Sequence, residues 1–140
     1  MALADTNTII RTHIALNAGI IALFAPATPR IYCPRLPENA ILPAIGFFTR
    51  GGTSTPYIPD VVNPSVQFDC WADNPIDARE VYRALYNCLQ GIQEQAVVIG
   101  VNTYYIHSAI EEVQGMDLVD NEIPNYYRVL TFFSILIRAV

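Results

Sequence analysis

The segment from Ser65 to Ile92 constrains the fold more than any other, because a strand pattern in it is followed at once by a helix pattern. Its apolar residues, Val66, Phe68, Cys70 and Ala72, alternate with Gln67, Asp69, Trp71 and Asp73. A period of two is typical of a strand with one buried face. The first part of the segment therefore predicts a half-buried strand whose second face carries Asp69 and Trp71.

The second part of this segment has the signals of a helix start followed by an apolar stripe. Asn74 offers a side-chain oxygen that can cap a helix, and Pro75 fits the first helical position, where no N–H donor is needed. The stripe consists of Ala78, Val81, Tyr82, Leu85, Cys88, Leu89 and Ile92. Because the strand and the helix each have an apolar face, we expect them to pack on a common core.

The composition is unusually apolar for a chain of this size. Hydrophobic residues make up 52% of the 140 residues and charged residues only 15%, whereas charged side chains normally supply about 25%. The length corresponds to a single domain, residues 1–140. Either the core is very large or partner subunits cover apolar surface. We favour the second, because a core of this size cannot hide every apolar residue.

The formal net charge is −5, and all eight basic residues are arginine. This acidic balance argues against a surface that grips nucleic acid by its phosphates, but it is compatible with a surface past which nucleic acid slides. The three cysteines include no CxxC pair, which favours reduced thiols. No signal-peptide pattern is present, and the longest apolar run, Ile14 to Ala27, is too short to span a bilayer. We therefore expect a cytoplasmic product and no membrane partner.

The rest of the chain alternates between apolar segments and breaks rich in proline and glycine. We predict a first helix from Asp5 or Thr6 to about Phe24, and strands at Arg30–Cys33, Ile41–Arg50, Val101–Gln114 and Tyr126–Val140. Both faces of the last strand are largely apolar, so it should be central or covered on both sides. An irregular loop is predicted at 51–64, a linker at Gln93–Gly100 and an acidic loop at 115–124.

These elements predict an α+β fold in the order α-β-β-β-α-β-β. Strands joined by hairpins favour antiparallel pairing. We expect a mainly antiparallel sheet of four to five strands with two helices packed on one of its faces.

The sequence contains no pattern of a catalytic, metal or cofactor site. Neither GxSxG nor HExxH occurs, and no phosphate-binding glycine loop is present. His107 and Ser108 are neighbours on a strand and should point to opposite faces, so they make a poor catalytic pair. Asp117, Asp120 and Glu122 lack the spacing of a calcium loop and are expected to form a solvated acidic loop. We therefore predict that the chain is not an enzyme and binds no cofactor.

Several short motifs, in order along the chain, resemble the tail-completion family of tailed bacteriophages, whose members are tail terminator or tail-to-head joining proteins. The central motif is the strand Val66 to Ala72, followed by a polar break and the helix Ala78 to Leu89. The run Arg30 to Pro34 is similar to an rIYp-like run of the family, with a cysteine inserted before the proline. Leu42-Pro43 is similar to an lP strand start. Tyr127 to Ile135 is similar to a final yRv strand.

The resemblance covers nearly the whole chain and implies a structural virion protein. In that family six copies form a ring on the end of the tail tube, which stops tube polymerisation and gives the head connector a docking surface. It thus implies a homohexamer whose partners are the tail tube protein and a connector or neck protein. The ring would lie at the head-proximal end of the tail after assembly in the host cytoplasm. DNA would pass through its lumen without specific binding, as suits a net charge of −5.

Three surfaces are hypothesised to form the interfaces of such a ring. The irregular loop would reach a neighbouring subunit or the tube and become ordered on assembly. The acidic loop, which has no counterpart in the family, would face the lumen or the connector. The polar strand face would be buried by a neighbour or turned toward the lumen. The candidate residues are Thr53, Thr55, Tyr57 and Ile58 in the first surface, Asp117, Asp120 and Glu122 in the second, and Asp69 and Trp71 in the third.

Two other classes of protein remain open at this point. A neck or head-completion ring protein of the same particle would have a similar arrangement of elements. A higher copy number around the axis would indicate such a protein. A small α+β enzyme or ligand-binding domain would need a pocket that joins Trp71, Asp69 and His107.

Overall fold

A computed structural model describes residues 5–37, 40–54, 57, 61–119 and 126–138. It shows an α+β fold in which three helices lie against one face of a six-stranded sheet. The helices are α1 (Thr6–Leu16), α2 (Ala18–Phe24) and α3 (Pro75–Leu89). The strands are β1 (Ile31–Tyr32), β2 (Ala44–Ser54), β3 (Val61–Ala72), β4 (Gln93–Ile99), β5 (Asn102–Val119) and β6 (Tyr127–Arg138).

The sheet has the strand order β1-β2-β3-β6-β5-β4, so the last strand of the sequence lies inside it. β1 pairs with β2 in parallel, and the other pairings are antiparallel. The α+β class and the mainly antiparallel sheet are therefore confirmed. β6 pairs with β3 on one side and with β5 on the other, which agrees with the central position predicted for it.

The predicted number of elements was too low, because the described residues form six strands rather than four to five and three helices rather than two. The extra strand is β4, which was predicted as a linker. It lies at the edge of the sheet, its first four residues are exposed, and Val97 alone within it is buried. An edge strand with so little burial needs no apolar alternation, so its sequence contained no strand signal.

The first helix also differs from its prediction, because it breaks at Asn17 into α1 and α2. The Asn17 side-chain oxygen accepts hydrogen bonds from the backbone N–H groups of Gly19 and Ile20, at 3.0 and 3.2 Å, and so caps α2. Asparagine favours such local bonds over continuation of a helix. In the described part of the chain, no helix is by itself long and apolar enough to cross a membrane. α1 and α2 meet that criterion only as a pair bent by 71°.

The predicted irregular loop 51–64 is replaced at both ends by strand, because it overlaps the end of β2 and the start of β3. The register between these strands shifts between Thr49 and Gly52, which identifies a β-bulge. Gly52 has a φ of 137°, and a Cβ there would lie 2.3 Å from the carbonyl oxygen of Asn63. Only glycine fits such a close approach. Gly51 and Gly52, which predicted a loop, therefore lie within β2 where it pairs with β3.

The predicted acidic loop 115–124 was wrong for its first half, because Gly115 to Val119 belong to β5. Residues 120–124 lie outside the described part of the chain. Asp117 has its Oδ1 atom 2.9 Å from Nε of Arg79, so this largely exposed carboxylate forms an ion pair between β5 and α3.

The core lies between the helices and the sheet face that carries Phe47, Phe68 and Phe133. The ring centroids of the pairs Phe47–Phe68 and Phe68–Phe133 are each 5.7 Å apart. α3 begins as the sequence predicted, with Asn74 Oδ1 accepting from the Asp77 N–H at 2.8 Å. The stripe residues within α3 are all buried, which confirms the predicted packing of this helix on the strand: Ala78, Val81, Tyr82, Leu85, Cys88 and Leu89.

The ring of Tyr82 packs directly over Gly115 and locks α3 to β5. The Tyr82 hydroxyl accepts a hydrogen bond from the Gly115 N–H at 3.2 Å and donates one to Glu111 Oε2 at 2.7 Å. A Cβ on Gly115 would lie 2.7 Å from Cζ of Tyr82 and 2.9 Å from Cγ1 of Val129. This position therefore has no room for any side chain.

Gly115→Ala should lower the free energy of unfolding by about 1–3 kcal/mol, because the added methyl group overpacks the contact with Tyr82. Urea denaturation followed by circular dichroism measures the change. The control is Gln114→Ala, at an exposed neighbouring position, which should change stability by less than about 0.5 kcal/mol. Equal stability of Gly115→Ala and the wild type would contradict the close packing described for Tyr82.

Candidate functional site

The sheet face opposite the helices is the candidate site, and we call it the open face. In β6 the residues that point to the helices are buried and those between them are only partly buried. Directly opposed residues of antiparallel strands share a face, so the register identifies the other members. The open face comprises Phe48 and Arg50 of β2, Ser65, Gln67, Asp69 and Trp71 of β3, Arg128, Leu130, Phe132, Ser134 and Leu136 of β6, and Ile110, Val113 and Met116 of β5.

Large apolar side chains on the open face remain accessible to water. Ile110, Val113 and Met116 are 59%, 38% and 39% exposed, and they lie opposite Ser134, Phe132 and Leu130. On the face of β6 that points to the helices, Val129, Phe133 and Ile135 are no more than 1% exposed. The helices thus cover one apolar face of the sheet and leave the second uncovered. A contiguous apolar patch of this kind marks a binding surface.

Arginine side chains lie over aromatic rings on the open face. The Cζ atom of Arg50 is 4.0 Å from the ring centroid of Phe132, and that of Arg128 is 5.1 Å from the ring of Trp71. Such cation–π contacts hold the planar guanidinium groups against the sheet while their charge stays available to a partner. The surface therefore combines an apolar centre with two fixed guanidinium groups, beside which lie the carboxylates of Glu112 and Asp69.

Asp69 is a polar group of this face whose hydrogen bonding is incomplete. Its side chain is only 13% exposed, and Oδ1 is buried without a hydrogen-bond partner among the described residues. Arg128 Nη1 lies 3.7 Å from Oδ1, and the Gln67 amide donates to Oδ2 at a long 3.5 Å. Burial raises the pKa of the Asp69 carboxyl, and the Arg128 guanidinium and Gln67 oppose this rise only in part. Since buried polar groups are normally hydrogen-bonded, Oδ1 is an acceptor that the described residues leave open.

The predicted site residues fall in three places. Asp69 and Trp71 lie together on the open face, as the strand pattern predicted. Thr53 lies in β2 and accepts a hydrogen bond from the Asn63 amide at 3.5 Å, and Tyr57 lies in an exposed turn. Asp117 lies on the opposite face, ion-paired with Arg79, so the structure does not bring it together with Asp69. The other candidates lie outside the described residues: Thr55, Ile58, Asp120 and Glu122.

Sequence reasoning missed most of the apolar part of the open face. Phe132 lies on the second apolar side of β6, and its contact with Arg50 depends on two strand pairings that no local pattern reveals. Ile110, Val113 and Met116 were hidden because β5 has register shifts near them, which interrupt the period of two. One feature of the sequence did indicate this surface: both faces of β6 are apolar, so a second surface has to cover it.

The described residues do not bring Asp69 and His107 together in one pocket. Asp69 lies opposite Leu130 of β6, whereas Ile106, the neighbour of His107, lies opposite Ile137. Leu130 and Ile137 are seven residues apart along β6, which corresponds to about 23 Å. Within the described ranges, no group of three or more His, Cys, Asp or Glu side chains could hold a metal ion.

The open face has the chemistry of a protein-binding surface, since aromatic residues and arginine are enriched in interfaces. Comparison of the chain with models of known protein families and with curated proteins found no match.

Asp69→Asn should raise the free energy of unfolding of the dilute subunit at pH 7, because burial disfavours the charged carboxylate and the amide is neutral. A carboxyl whose pKa is higher in the folded chain binds its proton more tightly there. Charged Asp69 thus destabilises the fold at neutral pH, and this loss disappears as the pH falls through the folded pKa toward 3.8. Urea denaturation should show the variant more stable at pH 7, with the difference shrinking as the pH falls toward 3.8.

The control for this measurement is Asp73→Asn, which removes an exposed carboxylate just beyond β3. It should change the stability at pH 7 by less than about 0.5 kcal/mol. An Asp69→Asn protein that is less stable than the wild type at pH 7 would show that Asp69 is satisfied within the subunit.

Proposed function

We propose that this chain is a structural protein of a tailed bacteriophage that forms a ring of six copies on the end of the tail tube. The ring ends polymerisation of the tube and joins the tail to the head connector. The protein acts by assembly and carries out no reaction.

The observation that carries the assembly part of this proposal is the open face. A central strand with large apolar residues on an uncovered face is typical of a subunit that is stable in a complex. Arg50 and Arg128 fit the same role, because arginine held on an aromatic ring is a frequent anchor of protein interfaces. The unpartnered Oδ1 of Asp69 provides an acceptor for a group from the neighbouring subunit.

The phage part of the proposal is supported by the order of the sequence motifs. The strand–helix unit, the short run before it and the final strand resemble the tail-completion family in sequence. Arg30 to Pro34 contributes the β1 strand, and Tyr127 to Ile135 contributes most of β6. These are the motifs that frame the open face and the core behind it.

The net charge supports the passage of DNA through such a ring. A chain of charge −5 repeated around a lumen repels phosphate groups, so DNA moves through without being held. The partners of the ring are then proteins at its two ends, the tail tube on one side and a connector or neck protein on the other. The protein belongs to the virion, at the head-proximal end of the tail.

Deletion of this chain from the phage that encodes it should yield tails of aberrant length and heads that carry no tail. Negative-stain electron microscopy of the particles measures both effects, and supply of the wild-type chain from a plasmid should restore joined particles with tails of uniform length. Joined particles with tails of normal length in the absence of the chain would contradict the proposed function.

A further inference from the structure

The edge strand β4 leaves backbone hydrogen-bonding groups unpaired on its outer side. A two-residue turn, Gly100–Val101, joins β4 to β5, and the residues on either side of this turn are paired with each other. In such a hairpin the flanking residues exchange both backbone hydrogen bonds, and the bonding then alternates along the strand. The N–H and C=O groups of Ala96 and Val98 therefore point away from β5. Among the described residues, the Gln95 side-chain amide alone bonds to them, donating to the Ala96 carbonyl at 3.3 Å.

β4 also lacks most of the features by which edge strands avoid pairing with other chains, such as lysine, proline and exposed charge. Its sequence, QEQAVVI, contains neither Lys nor Pro. The carboxylate of Glu94, its one charged residue, contacts His107 and Arg138 of the same sheet. The side chain of Val98 is 61% exposed. The edge is therefore open to the addition of a strand.

A groove of about 410 Å³ lies beside this edge, between β4 and the junction of α1 with α2. Its lining consists of His13, Leu16, Asn17, Ala18 and residues 95–98. Burial lowers the pKa of the His13 imidazole, so this ring is neutral at pH 7 and the lining carries no charge. Because an unpaired charge is costly to remove from water, the groove favours an uncharged occupant.

A row of free backbone groups beside a groove is typical of a site that adds a strand from another chain. In this mode of binding the main-chain hydrogen bonds provide affinity, and pockets take every second side chain of the added segment. A segment paired with Ala96 and Val98 would point alternate side chains into the groove, where Leu16 is 71% exposed. An extended backbone is the partner that satisfies both features at once.

The described residues of this chain do not supply such a segment to a neighbour in a ring. At the opposite edge of the sheet, Ile31 of β1 and Phe47 of β2 are buried. Further along β2, Gly51 and Gly52 have φ values of 104° and 137°, which interrupt the extended backbone that a ladder requires. Pairing of β4 with β4 of a second copy is isologous, so it joins two copies and does not repeat around a ring.

We propose that β4 binds an extended, uncharged segment of a different protein of the particle. The segment adds a strand to the sheet at Ala96 and Val98 and places alternate side chains in the groove. This inference rests on the proposed function, because the ring excludes pairing between two β4 strands and has other proteins at its two ends. β4 then forms the contact that holds the ring to one of these proteins.

Val98→Pro tests the backbone pairing, because it removes an N–H group that points outward and leaves the bonds to β5 in place. Proline is tolerated on an edge strand in this position. Val98→Thr is the matched control, since it keeps the N–H group and a side chain of similar shape. The probes are headless tails and tailless heads, purified separately from phage that lacks this chain. Cosedimentation should show that Val98→Pro binds one of them at least about tenfold more weakly than the wild type and Val98→Thr do.

Analytical ultracentrifugation and circular dichroism of the same proteins should show unchanged self-association and an unchanged fold. Amide hydrogen exchange provides a second test that needs no variant. The amides of Ala96 and Val98 should exchange rapidly in the free wild type and at least about tenfold more slowly when it is bound to the same probe.

Binding of Val98→Pro at the wild-type level, or amides of β4 that stay unprotected in the bound wild type, would overturn this contact. A loss of self-association in Val98→Pro would also overturn it, because the added strand would then come from a second copy. In each of these cases the wild type still binds the particle, so the proposed function stands. A wild type that binds neither heads nor tails would overturn both.

Discussion

β6 imposes the main constraint on this protein, because a central strand with apolar residues on both faces has to be covered twice. Val129, Phe133 and Ile135 are covered within the subunit by the helices. Leu130, Phe132 and Leu136 on the other side are only partly buried, and the strands beside them add further apolar groups. In the proposed ring, the hydrophobic effect that builds the core on one face would drive association on the other.

The polar groups of the open face fit the same requirement. A partly buried carboxylate with an unpartnered oxygen destabilises a subunit that stands alone. The same carboxylate would stabilise a complex in which a neighbour supplies the hydrogen-bond donor. Asp69 is in this position, and burial raises its pKa accordingly. Arg50 and Arg128 lose little freedom on binding, because their guanidinium groups already lie on aromatic rings. Under the proposed function, the features that weaken the isolated chain are those that would stabilise the assembled one.

The sequence predicted the parts of this structure that depend on local patterns. The strand–cap–helix unit was recovered because Asn74, Pro75 and the apolar stripe of α3 act within a few residues of one another. β4 and the bulge at Gly52 were missed, since one is an edge strand with little burial and the other depends on a contact with another strand. The break at Asn17 was missed although its capping bonds are local, because apolar residues continue on both sides of it. The same limit applies to the site. Asp69 and Trp71 were predicted from the alternation in β3, but their combination with β2, β5 and β6 follows from register, which a single sequence does not specify.

Trp71 allows the central claim, that a second copy covers the open face, to be measured without any mutation, since it is the chain's single tryptophan and lies on that face. Its fluorescence emission and its quenching by acrylamide can be followed against protein concentration, with light scattering on the same samples to give the mass. We expect the emission to shift to the blue and the quenching to fall in step with the rise in mass. A rise in mass with unchanged emission and quenching would contradict the account, because it would place the interface elsewhere on the subunit.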